Sequence, residues 1–166
     1  NELDSLIALG ILNRIKKPGW RVTLSCPAPS VTSMNGVTVH AQSTLTEACA
    51  ADAVIIGSGI QTREIVNNPE LMAKLRLDPA RQLIGAQCSG TLLLNQPFYA
   101  QGNIATAGGC FASQYLAAWV IARTEGEEAA KNALHYVAPV GEKQAWIDRT
   151  LAVIGPFIAR DQAAAG

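Results

Sequence analysis

The chain has 166 residues, of which 49% are hydrophobic and 16% charged; that balance fits one packed domain and excludes a disordered chain. Lys plus Arg and Asp plus Glu number 13 each, so the formal net charge is zero, and neither nucleic acid nor an anionic membrane is expected as a partner. No apolar run approaches the roughly 20 residues that cross a bilayer, and the first residues do not form a signal peptide.

Residues 3–15 (LDSLIALGILNRI) place Leu3, Leu6, Ile7, Leu9, Gly10 and Ile15 at helical spacing. Lys16 and Lys17 suit the negative end of that helix, and Pro18-Gly19 stop it. Residues 20–25 (WRVTLS) alternate like a strand, and residues 37–41 (VTVHA) are a second short candidate. Residues 52–57 (DAVIIG) form a short apolar run ending in glycine, the pattern of a buried parallel strand.

Thr62 is placed to cap a helix running to about Leu75, with a break suggested by Pro69. Residues 82–87 read as another buried strand, followed by a cysteine turn and a helix from Ser89. Residues 103–107 (NIATA) form a strand ending at Gly108-Gly109, and helices are expected over 111–123, 127–136 and 142–158. Strands alternating with helices predict an α/β fold: a doubly wound, mostly parallel sheet flanked by helices, of flavodoxin-like type. One domain is expected over 1–166, without internal repeat. Two features look incomplete, since no strand precedes the first helix and the helix from Ser89 meets Gln96-Pro97 after about six residues, against a usual ten or so. Either a first strand and a segment near 94–96 are omitted, or the domain is truly shortened.

The four cysteines, Cys26, Cys49, Cys88 and Cys110, are widely spaced, without CxxC or Cys/His ligand patterns. No metal or cofactor is therefore expected, and a reducing cytoplasm is the expected setting. Cys88 stands in Ala86-Gln87-Cys88-Ser89-Gly90 between a strand and a helix. Small-x-Cys-x-Gly there is the cysteine form of the nucleophile elbow, in which small neighbours let the chain turn sharply and present the nucleophile. The helix from Ser89 would favour the thiolate and offer amides to an anion. A buried, inert cysteine in a tight turn gives the same pattern. Gly57-Ser58-Gly59 likewise reads either as a tight turn or as a loop whose amides complete an oxyanion hole.

Taken in order, LDSL, ADAVIIGSGIQTRE, LIGAQCSGTLLL and NIATAGGCFASQYLAAWVIARTEGEEAA resemble segments of the ThiJ/PfpI superfamily, which has a class I glutamine amidotransferase-like fold. The resemblance implies that Cys88 is the reactive residue and that Asp4 matches the family's neighbouring carboxylic acid, an acid/base. By itself, Asp4 reads as a first-turn residue favoured by the helix dipole. Backbone amides of Ser58, Gly59 and Ser89 match the family's anion-binding positions. Departures are informative. The late His135 lacks the amidotransferase His-x-Glu pattern and reads as a helix-surface residue, His40 reads as solvated, and Ser89 stands where protease-like members carry histidine. A Cys-His pair is therefore disfavoured.

Cysteine with an acid and no histidine is closest to the isocyanide hydratase-like branch, implying a small electrophilic substrate and a homodimer. Alternatives are a glyoxalase-type enzyme, a redox stress protein in which Cys88 becomes a sulfinate, and a ligand-sensing domain without turnover. The last is weakened by a tail, RDQAAAG, that carries no helix-turn-helix signal. Cys110 follows Gly108-Gly109 and reads either as a residue near the pocket or, the favoured role, as a small buried residue at a helix start; Cys26 and Cys49 read as ordinary thiols, and Trp119, Trp146 and Phe157 as core or interface packing.

Overall fold

The computed structural model describes residues 1–88 and 96–159. The first helix, α1 (Glu2–Leu12), is capped by the Asn1 side chain, which accepts from the Leu3 amide, and carries Glu2 and Asp4 in its first turn. It ends earlier than its apolar periodicity suggests. Asn13 at the C-cap donates both its backbone N–H and its side-chain Nδ2 to the Leu9 carbonyl at 3.0 Å, satisfying an end carbonyl that a further turn would use.

Residues 20–25 do not form the expected strand. Only an isolated bridge joins Ser25 to Ser43. The segment is held instead by side chains, with Thr23 and Ser25 hydroxyls on the Ser43 hydroxyl at 2.8 and 2.6 Å. The other early candidate is shortened to β2 (Thr38–His40), paired antiparallel with β1 (Ser30–Thr32) in an exposed hairpin. After it, α2 (Leu45–Ala50) was not expected, although its capping box is plain: Thr44 accepts from the Glu47 amide while Glu47 reaches back to the Thr44 amide.

Strand β3 (Ala53–Ile56) is followed by two short helices rather than one, α3 (Thr62–Val66) and α4 (Pro69–Lys74). Gln61, not Thr62, holds the first cap position, without a side-chain bond. Asn68 caps α4 by accepting from Leu71, and Pro69 occupies its first turn, where a missing N–H costs nothing. Strand β4 (Leu83–Gln87) then leads into the cysteine turn. The helix expected from Ser89, and residues 94 and 95 of the segment suspected of being incomplete, lie outside the described residues.

Strand β5 (Phe98–Gln101), also unexpected, makes a hairpin with β6 (Ile104–Ala107) through Gly102, whose φ of 59° suits glycine. The four-stranded sheet runs β3-β4-β6-β5, with β3, β4 and β6 parallel and β5 antiparallel at the edge. Helices flank this mixed, mostly parallel sheet.

A 3-10 turn (Cys110–Ala112) opens into α5 (Ser113–Glu125), which is buried from Ser113 through Ala122. Its long apolar stretch (residues 116–122) is what a core helix needs. It lies directly on β4: a Cβ at Gly85 would sit 3.1 Å from Leu116 Cδ2, so the strand that presents Cys88 needs glycine there for helix and sheet to meet. Helices α6 (Glu127–Val137) and α7 (Lys143–Ile154) complete the layer. Trp119 anchors it, donating Nε1–H to the Phe157 carbonyl at 3.0 Å, with the Phe98 ring centroid 6.2 Å away. Among the described residues no helix is long and apolar enough to cross a membrane.

Candidate active site

Cys88 follows β4 directly and has φ 79°; it is the only non-glycine with positive φ among the described residues. L-residues in that region pay about 1–2 kcal/mol, and such strain persists only where the surroundings enforce it. Here the Cys88 N–H is fixed on the Ala107 carbonyl at 2.6 Å, so the turn is tied to the end of the neighbouring strand β6. The side chain is half-buried.

Asp4 is fully buried. Its Oδ2 accepts from the Ser58 amide at 3.2 Å and the Ser58 hydroxyl at 2.7 Å, joining α1 to the loop after β3. Glycine at 57 leaves room for the Ser5 hydroxyl, which a Cβ there would approach to 2.9 Å, while Asp4 Cβ would lie at an ordinary contact distance of 4.0 Å. The second carboxylate oxygen, Oδ1, is buried without a hydrogen-bond partner among the described residues.

The same carboxylate faces the Cys110 thiol. Burial, then the neighbouring Asp4 carboxylate, pushes the Cys110 thiol above its usual range, and Asn1 works the other way. The Asn1 carboxamide donates Nδ2–H to Cys110 Sγ at 2.6 Å. Ser58 follows β3 and Cys110 follows β6, while β4 runs between those strands. With strands about 4.8 Å apart, a carboxylate that reaches both loops spans the end of β4. Cys88 sits at that end, directly after the last residue of β4.

The loop amides assigned to anion binding are engaged inside the protein. Ser58 N–H is on Asp4, and Gly59 N–H is on Thr62 Oγ1 at 3.2 Å. An oxyanion at this loop would have to displace those acceptors. Ser89, the third amide, lies outside the described residues. Both histidines are exposed, His40 in the hairpin and His135 on α6.

Cys110 does stand at a helix start, opening the 3-10 turn before α5, and its sulfur also accepts from Asn1 beside the strand ends, nearer the alternative that places it by the pocket. The signal for it is Gly108-Gly109 at a strand end, where Gly109 takes φ 89°, a turn that suits glycine. An apolar groove of about 550 Å³ lies elsewhere, among α1, α6 and α7, with Leu6, Ile11, Phe111, Tyr136 and Trp146 in its wall; Cys88 and Asp4 do not line it.

No protein-family model matches the chain, and no curated protein does. Solved structures do match. A ThiJ/PfpI family protein from Pseudomonas syringae superposes with a TM-score of 0.70 at 15% identity, over 93% of this chain and 83% of that one. The chain has the DJ-1/ThiJ/PfpI fold. Oxidized DJ-1 of Toxoplasma gondii matches with a TM-score of 0.68 at 18% identity, over 82% of this chain and 91% of its own. A mutant of a DJ-1 superfamily protein from Salmonella typhimurium gives 0.67 at 21%, again over 82% and 91%. At these identities the likeness is one of architecture. In this DJ-1-like frame, the site described above is assembled from the ends of three neighbouring parallel strands, where open α/β sheets hold their ligands.

Proposed function

We propose that the protein is a cysteine-dependent enzyme acting on a small electrophile, of the isocyanide hydratase type, with Cys88 as nucleophile and Asp4 as acid/base. The observation that carries the reading is the backbone of Cys88. A non-glycine residue held at φ 79° at the end of a parallel strand is strained in the manner of a nucleophile elbow. Asp4 supports it, as a buried carboxylate oriented through Oδ2 by Ser58 while Oδ1 has no described partner.

Asp4 takes the Cys88 thiol proton as the sulfur attacks the terminal carbon of R–NC. It returns that proton to the same carbon, giving a thioimidate, R–N=CH–S. Water adds to this carbon, with one of its protons passing to nitrogen. Collapse to the carbonyl expels the sulfur, which recovers the second proton through Asp4. The sum is R–NC plus H₂O giving R–NH–CHO, with both residues restored. Each proton transfer needs a group held within hydrogen-bond reach, the service a fixed buried acid provides.

The test is conversion of an aryl isocyanide to its N-formamide, followed by chromatography, with a 2-oxoaldehyde as the competing substrate class. Formamide production that disappears in Cys88→Ala is the expected result. Production that survives in that variant overturns the assignment.

A further inference from the structure

We propose that Cys110 is the resolving thiol of Cys88, closing a disulfide across the end of β4 after a peroxide has oxidised Cys88. This rests on Cys88 being reactive, as above, but not on isocyanide turnover.

The placement comes from the sheet. Gln87 pairs with Ala107 in the parallel β4–β6 register, so Cys88 and Cys110 leave adjacent strand ends, and the Cys88 amide is bonded to the Ala107 carbonyl. Cys88 is one residue past that register pair and Cys110 three past it, on strands about 4.8 Å apart; a disulfide needs Cα atoms about 4.4–6.8 Å apart, so closing it draws the Cys110 turn toward the end of β4. What directs the Cys110 sulfur toward β4 is Asn1. Its backbone nitrogen donates to the Ser58 carbonyl at 2.7 Å, beyond the far side of β4, while its side-chain Nδ2 donates to the Cys110 sulfur at 2.6 Å, so that thiol leans over the strand end that carries Cys88. None of the four cysteines is in a disulfide in this structure, which therefore shows the reduced pair.

The chemistry balances with a hydroperoxide as oxidant. The Cys88 sulfur attacks the distal peroxide oxygen, breaking O–O and giving Cys88–SOH and an alcohol or water; the peroxide gains two electrons. The Cys110 sulfur then attacks the sulfenic sulfur, its proton passes through Asp4 to the departing hydroxide, and water leaves as the S–S bond forms. A nearby second thiol intercepts the sulfenic acid before it is carried on to sulfinate.

The experiment treats the reduced full chain with a stoichiometric dose of hydrogen peroxide, alkylates the remaining thiols and reads the products by mass. No Lys or Arg separates Cys88 from Cys110, whereas Phe98 and Tyr99 do, so chymotrypsin yields two peptides that stay joined only through a disulfide. The expected result is joint loss of alkylation at both cysteines and a linked pair that reduction separates. Cys110→Ser should instead accumulate sulfenate, trapped by dimedone, or sulfinate on Cys88. Sulfinate on Cys88 of the unaltered protein, with Cys110 still fully alkylated, overturns the inference and leaves the enzyme reading intact. A Cys88 that neither alkylates nor oxidises in either protein overturns both.

Discussion

Replacing Cys88 separates strain from chemistry. Alanine removes the sulfur but keeps the Cβ that makes φ 79° costly, whereas glycine removes both. Relief from the left-handed region is worth about 1–2 kcal/mol. Glycine also frees the unfolded chain, which costs about 0.4–1 kcal/mol relative to alanine. The strain term is the larger, so Cys88→Gly should exceed Cys88→Ala in stability by roughly 0.8 kcal/mol, or about 2–3 °C in Tm for a domain of this size. Neither variant has a thiol at 88, so the difference cannot come from oxidation or from lost sulfur contacts. Urea unfolding followed by tryptophan fluorescence reads it out, since Trp119 is fully buried, and equal m-values would show that the unfolded states are comparable. If the glycine variant is no more stable than the alanine variant, the backbone at 88 is unstrained, and the elbow reading loses its physical basis.

Other predictions concern the acid and its neighbours. Asp4→Asn should fold, yet lose about 100-fold or more in formamide turnover; a rate within a few fold of the unaltered protein would remove Asp4 from the reaction. Ser58→Ala deletes the 2.7 Å bond to Asp4 and should destabilise by about 1.5–3 kcal/mol, the range for bonds to a charged group, measured by urea unfolding. Because burial raises the Cys110 thiol in the folded state, the fold binds its proton more tightly than the unfolded chain does. Its contribution is complete below the ordinary thiol pKa of about 8.5 and declines as pH rises through the folded value. Stability should therefore fall more steeply above that pH than in Cys110→Ser, and identical slopes would contradict the burial. The homodimer implied by the resemblance predicts sedimentation as a two-chain species. Exposed apolar residues such as Phe111 (73% exposed) and Tyr136 (69%) mark the face where Phe111→Glu should shift it to monomer.

Much of the fold was legible because its signals are local. The apolar runs at 53–56 and 83–87 mark neighbouring strands of a parallel sheet, and the apolar stretch inside Ser113–Glu125 marks a helix buried from Ser113 through Ala122. Failures arose where pairing depends on distant partners. Residues 20–25 alternate like a strand, but their opposite number offers hydroxyls instead of a backbone ladder. Phe98–Gln101 is a strand because β6 lies open beside it, a fact absent from its own few residues. The Thr44–Glu47 capping box, by contrast, was readable and outweighs the brevity of the helix it starts.

The candidate site divides along the same line. Cys88 announces itself by its neighbours, since a sharp turn between strand and helix restricts which residues can flank it. Asp4 does not: nothing in a helix's first turn distinguishes a dipole-stabilising aspartate from a buried one, and only the family resemblance singled it out. What holds it there is Ser58, 54 positions away in the chain, whose amide and hydroxyl both donate to its carboxylate. Cys110 was hidden for the opposite reason. Its local context, a pair of glycines before an apolar helix, is explained by packing as readily as by a place near the pocket, and packing is the simpler demand. What gives its sulfur chemistry is the order β3-β4-β6, which sets a carboxylate tied to one outer strand against a thiol rising from the other. Between them stands the strand that ends in Cys88, so a change to any one of Asp4, Cys88 and Cys110 should alter the reactivity of the other two.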